Sequence, residues 1–195
     1  MSSLSIDMTK RYTLADYLTW IDDVRRELID GIVSLMAGAS YEHADISWNI
    51  ASSLKTLVNN KGGDCKVYCA PVDVCLPENG ETADDKIYTV VQPDIFVVCD
   101  LAKLYNNRCY GAPDMIVEII SPSNRKKDMY WKYSIYEKVG VREYWIVNPK
   151  TKSVIVHVLQ DNGEYDDGTD YISGEKAPVH IFDGLHVDVE EVFKF

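Results

Sequence analysis

The chain has 195 residues, 46% of them hydrophobic and 26% charged, with a formal net charge of −11. That length suits one domain with a sizeable core, and no run of about 18 or more apolar residues exists to span a membrane as a helix. The opening MSSLSIDMTKRYT lacks the apolar stretch of a secretory signal, and the acidic charge at first disfavours nucleic acid, which binds through Lys and Arg. The distribution softens that exclusion. From Asp161 onward there are ten acidic and two basic residues, a net of −8, which leaves −3 for residues 1–160. A local basic face remains open there, though no broad one is visible. Five cysteines (Cys65, Cys69, Cys75, Cys99 and Cys109) include no CxxC pair. Their odd number argues against a disulfide framework, and a zinc site is not expected. Lying mostly in apolar strand-like runs, they are expected to be buried, inert thiols of a cytoplasmic protein.

In chain order, residues 12–23 place Leu14, Tyr17, Leu18 and Ile21 at helical spacing, with Thr13 as N-cap and Asp16 three residues on. In RRELIDGIVSLM two apolar runs flank Asp30-Gly31, a hairpin signal that puts Glu27, Ile29, Ile32 and Ser34 on one face. Residues 41–60 carry Ile46, Ile50, Leu54, Leu57 and Val58 on one helical stripe, closed by Lys61-Gly62-Gly63. Strand-like runs follow at 65–76, 88–100 and 113–122, the first two joined by the polar loop PENGETADDK. The third is nearly all apolar, as for a central strand buried on both faces. Residues 124–140 predict a helix capped by Ser123 or Asn124 and ended by Gly140, with Trp131, Ile135 and Val139 as its apolar stripe and Asp128, Lys132 and Tyr136 as a polar face. Strands are expected at 142–148 and 154–159, then short ones near Ala177–Phe182 and His186–Val189. The order predicts one α/β domain over 1–195, a mixed β-sheet flanked by α-helices, with a core at about 11–160 and an acidic, β-rich extension at 161–195.

Chemistry concentrates on two acids inside apolar strands: Asp94 in VVQPDIFVV and Glu118 in MIVEIIS. A buried carboxylate costs several kcal/mol unless it is paired or binds a cation. Alternation groups Gln92, Asp94 and Phe96 on one face, and Ile116, Glu118 and Ile120 on one face of the next strand. If those strands are neighbours, the carboxylates converge, and two carboxylates with waters and a phosphate suit Mg²⁺ (or Mn²⁺). Lys132, on the helix after the Glu118 strand, is the candidate lysine to stabilise charge on a phosphate or orient an attacking water. The plainer readings are an Asp94 and a Glu118 paired structurally, and a Lys132 bonded only to Asp128. Asp73 lies in a strand of similar pattern, and Arg125-Lys126-Lys127 is either a solvated helix start or a phosphate contact.

The strings QPDIFVV, GAPDMIVEIISPS, Asp128-x-x-x-Lys132-x-x-x-Tyr136 and GVREYWIVNP resemble the Uma-type restriction endonucleases of the PD-(D/E)XK nuclease superfamily. So do the upstream ELIDG hairpin, the His43 helix and the closing DGLHVDVEEVF, so that the resemblance spans roughly 11–195. It implies the restriction-endonuclease-like fold and a Mg²⁺-dependent DNA endonuclease, with Asp94 and Glu118 as metal ligands. In the wider superfamily a lysine follows the third-strand acid by two residues. Here Ile120 stands at that position, and the resemblance implies that the lysine has migrated to Lys132. Glu27 matches the family's hairpin glutamate, a further acid for the site. His43 matches a family histidine without an assigned role, and Gln92, Asp128 and Tyr136 are possible supporting residues. The alternative is a nuclease-fold protein that binds nucleic acid or a protein without cutting; a hydrolase of another phosphoester is a third possibility. A homodimer is expected, because two-fold symmetry suits cutting both strands of a duplex.

Overall fold

The computed structural model describes residues 6–78, 80–121 and 127–195, with the side chains of 127–129 outside that description. The expected caps Ser123 and Asn124, the Arg125-Lys126-Lys127 side chains and the Asp128 side chain therefore lie outside the described residues.

The first helix, α1 (Leu14–Tyr17), is shorter than the pattern over 12–23 predicts, and Ile21 is 93% exposed. Its cap is as expected: Thr13 and Asp16 form a reciprocal capping box. The hairpin β1 (Arg26–Ile29) and β2 (Ile32–Leu35) pairs Glu27 with Ser34 and Ile29 with Ile32. Asp30 and Gly31 take φ of 51° and 79°, the left-handed pair that a two-residue turn needs. Helix α2 (Tyr41–Lys61) is capped by Ser40 and buries Ile46, Ile50, Leu54 and Val58.

Two predicted strands each divide. Run 65–76 becomes β3 (Lys66–Cys69) and β4 (Val74–Cys75), and run 88–100 becomes β5 (Val90–Val91) and β6 (Ile95–Val98). Pro71 and Pro93 sit at the two breaks, where each removes a ladder N–H. Each break sends the chain between two sheets. Then follow β7 (Leu104–Tyr105), β8 (Arg108–Tyr110) and β9 (Met115–Ile119), of which the short β7 and β8 escaped the sequence reading. A π-helical segment, Lys127–Lys132, runs into α3 (Tyr133–Val139), which ends at Gly140 with φ 86°. The chain closes with β10 (Glu143–Asn148), β11 (Ser153–Val158), β12 (Thr169–Ile172), β13 (Lys176–Pro178), β14 (His186–Asp188) and α4 (Val189–Val192).

The mixed sheet has the order β12-β11-β10-β9-β6-β3, in which only β9 and β10 are parallel. The second sheet, β2-β1-β5-β4-β8-β7, packs on one side of it. Odd residues of the central strands (Ile95, Val97, Val117, Ile119) meet α2 and the C-terminal residues Val179, Phe182 and Val192. Even residues (Phe96, Val98, Ile116, Ile120) meet Tyr136 of α3 and Val74, Leu76 and Val91 of the second sheet.

Two expectations are corrected. Cys65 and Cys99 form a disulfide rather than remaining thiols. The cause is register: β3 and β6 pair Lys66 with Val98, which sets the next residues outward opposite each other. Cys75 and Cys109 are the buried thiols expected, and burial raises both, Cys109 to about 11. Cys69 is exposed. Second, Trp131 is 61% exposed, whereas Lys132 and Tyr136 are buried. The face read as polar turns inward because its polar groups find partners at the carboxylates, described below.

Gly168 supplies a stability prediction. Its φ is +77°, and a Cβ there would lie 2.4 Å from His157 Cε1, a largely buried ring. Gly168→Ala is expected to cost about 2–4 kcal/mol in urea unfolding, from left-handed strain plus overpacking. Gly163→Ala, at φ +83° with open space around it, serves as control and should cost about 1 kcal/mol.

Candidate active site

Four of the residues singled out in the sequence meet between the two sheets. Lys132, the last residue of the π-helical segment, points at β9 and reaches Glu118 Oε1 at 2.7 Å. The same ammonium lies 3.0 Å from Glu27 Oε1 on β1. Tyr136, one helical turn on, donates to Glu118 Oε1 at 2.7 Å. Glu27, Glu118 and Lys132 are 1%, 3% and 3% exposed. Among the described residues this ammonium faces two buried carboxylates, an arrangement that hydrogen bonds help to compensate. Glu27 Oε1 also accepts from the Gln92 backbone N at 3.0 Å. Burial, then the nearby Glu118 charge, holds the Tyr136 hydroxyl well above its ordinary pKa, so it stays a donor.

Asp94 sits at the open end of this group. Antiparallel pairing of Ile95 with Val117 continues by one step to Asp94 opposite Glu118. Its Oδ2 accepts from Ile119 N at 2.8 Å, and its Oδ1 shares a 2.9 Å hydrogen bond with His43 Nε2 at the start of α2. Asp94 thus leans toward α2 and Glu118 toward α3. Asp94 and His43 are 17% and 19% exposed, so this end meets solvent. A cavity of about 120 Å³ adjoins it, lined by His43, Ile120, Ser121, Asn148 and Lys150 at the ends of β9 and β10. Ile120, where the wider superfamily carries lysine, is 9% exposed in the core.

The expected grouping of Gln92 with Asp94 and Phe96 is corrected. Pro93 interrupts the strand, and the Gln92 side chain turns away to bond Asp73 Oδ1 and Arg25. Asp73 is structural: Tyr17 OH, Gln92 Nε2 and Arg108 Nε all donate to it. A further buried acid that the sequence reading passed over, Glu143, is raised by desolvation. It accepts from Trp145 Nε1 and Ile181 N at 2.7 and 2.8 Å, as structural support for the C-terminal segment.

Among the described residues, no group of three or more His, Cys, Asp and Glu could hold a metal by itself. The donor chemistry nonetheless fits a hard divalent cation that keeps several waters. Asp94 and Glu118 are carboxylates on paired strands, and a carboxylate has about four lone-pair sites. Such a cation would be held by Asp94 and Glu118.

Comparison with known proteins agrees with this architecture. A protein of Synechocystis sp., "Uncharacterized protein slr1290", is 26% identical over 155 residues, covering 77% of this chain and 75% of that one. A crystal structure described as "a putative nuclease belonging to DUF820", from Anabaena variabilis, superposes with a TM-score of 0.73. It covers 93% of this chain and 97% of its own at 18% identity, which establishes a shared fold. Among the described residues no helix is long and apolar enough to cross a membrane. The profile of the Uma2 family, described as "Putative restriction endonuclease", matches residues 14–190, and the chain belongs to that family.

Proposed function

We propose that this protein is a Mg²⁺-dependent DNA endonuclease that hydrolyses phosphodiester bonds, with Asp94 and Glu118 as the cation's protein ligands. The observation that supports it most is the reach of Lys132. From the helix after β9 its ammonium lies 2.7 Å from Glu118, supplying from outside the strand the charge that Ile120 lacks. A bound divalent cation supplies Lewis-acid charge at the phosphate and a more acidic water. The remaining roles belong to the chain. Lys132 and Tyr136 hold Glu118 in one orientation, and Glu27 fixes Lys132. His43 and Ile119 N hold Asp94. The solvent-facing end at Asp94 and His43 admits the phosphodiester. A homodimer would present two such sites to opposite strands.

One observation favours a second reading. Glu118 and Lys132 are almost fully buried, as in a structural staple of a protein that binds without cutting. Supercoiled plasmid separates the two. EDTA-treated protein should leave it intact, and added Mg²⁺ or Mn²⁺ should produce nicked and linear forms. Intact plasmid in both cations, with plasmid binding retained, would favour the second reading.

A further inference from the structure

Arg25 lies just before β1, exposed, with its backbone carbonyl accepting from Met36 N at 3.1 Å. Its side chain is also fixed. Nε and Nη2 both donate to Gln92 Oε1, at 3.1 and 2.9 Å. Gln92 is itself held: its Nε2 donates to Asp73 and its backbone N to Glu27. Arg25 is therefore seated on the Gln92-Pro93-Asp94 segment, two residues from the proposed metal ligand and one hydrogen-bonded residue from the Glu27–Lys132–Glu118 group.

Its pairing is unusual in this molecule. Arg11, Arg26, Arg108 and Arg142 each pair with an aspartate. Among the described residues, Arg25 is the arginine with no carboxylate in ion-pair reach; its bonded partner is a neutral amide. The acids around it are largely accounted for. Asp22 is bonded by Arg26 and Asp73 by Arg108, while Asp23 is exposed. A guanidinium has five N–H donors, and the Gln92 grip uses two; Arg25 lines an open depression with Arg26 and Arg108, which bond its Asp22 and Asp73, and with the exposed Asp23. A rigid, unneutralised guanidinium suits the oxygens of a phosphate.

We propose that Arg25 is a positioning residue that holds a backbone phosphate of the DNA neighbouring the scissile one, with Gln92 as the bracket that aims it. This rests on the reading of the site as a nuclease. It bears on how a chain of charge −11 engages a polyanion without a broad basic face: among the described arginines, Arg25 is the one with no carboxylate partner.

The test is equilibrium binding of a fluorescein-labelled DNA duplex in EDTA, where no cleavage intervenes, by anisotropy over a range of NaCl. Arg25→Gln should weaken binding about 3- to 10-fold and reduce the slope of log K against log salt by about 0.9. Arg25→Lys should retain the slope, and Lys194→Gln, at the far end of the chain, should match wild type. Thermal melting should be unchanged for all three, since these are exposed positions. On plasmid with Mg²⁺, Arg25→Gln should raise KM and leave kcat within about twofold. An unaltered slope in Arg25→Gln, or a wild type that binds no duplex even at low salt, overturns the proposal. If duplex binds with the expected slope change but is never cut, the catalytic reading fails, and with it the placement beside a scissile phosphate, while Arg25 remains a DNA-phosphate contact. Cleavage with an unchanged Arg25→Gln slope and KM gives the reverse.

Discussion

Lys132→Met is expected to destabilise the protein by about 3–5 kcal/mol, the usual cost of removing one partner from a buried ion pair. Methionine nearly matches the volume of the lysine stem, so packing is conserved and the lost charge dominates. Without the ammonium, Glu27 and Glu118 face each other's charge, each at most 3% exposed. Urea unfolding should show the loss as a lower midpoint at similar m-value. The pairing is separable from general damage by a cycle. Glu27→Gln in the Lys132→Met background removes one of the two carboxylate charges and should restore part of the loss, giving a coupling energy of about 1–3 kcal/mol. Purely additive effects would mean that the 3.0 Å contact between Lys132 and Glu27 contributes little. A Lys132→Met variant as stable as wild type would remove the argument that the acids of this site need compensation.

Asp94→Asn should reduce metal-dependent DNA cleavage by at least about 10²–10³-fold while preserving the fold. The amide keeps an oxygen to accept from Ile119 N, and its NH2 donates to His43 Nε2 once that ring takes the other tautomer, so both contacts of Asp94 have a replacement. What is lost is a negative charge among the cation's proposed ligands. A cation's stabilisation of transition-state charge amounts to several kcal/mol, and each 1.36 kcal/mol is about a factor of ten in rate. Glu118→Gln should act in the same direction but also disturb stability, because Lys132 would then lack the Glu118 carboxylate 2.7 Å away.

Much of the scaffold was legible where local chemistry decides it. Asp30-Gly31 fixed the hairpin and its register, and the Ile46 stripe with Lys61-Gly62-Gly63 fixed α2. Asp94 and Glu118 were visible because acids are rare in apolar strands. Lys132 was reachable by its spacing on the helix that follows. The errors share one cause, which is that partners from distant segments override local pattern. The 88–100 run reads as one strand, but Pro93 hands the chain from the second sheet to the mixed sheet, and the Gln92 side chain goes to Asp73 and Arg25. The helix expected at 124–140 reads with its apolar side inward, but Glu118 and Glu27 draw Lys132 and Tyr136 into the interior and leave Trp131 outside. Cys65 and Cys99 are 34 residues apart, and only the β3–β6 register brings them together. Arg25 carries no local signal at all. What distinguishes it is the absence of a carboxylate partner, a property that exists only in three dimensions.

The measurement that bears most directly on the account is the rate of nicking of supercoiled plasmid, with Mg²⁺ and with EDTA, by wild type and Asp94→Asn prepared side by side. The account predicts product from wild type with Mg²⁺ alone and at least about a hundredfold slower nicking by Asp94→Asn, at unchanged melting temperature. Mg²⁺-dependent nicking by Asp94→Asn at the wild-type rate would contradict the assignment of Asp94, and with it the proposed site.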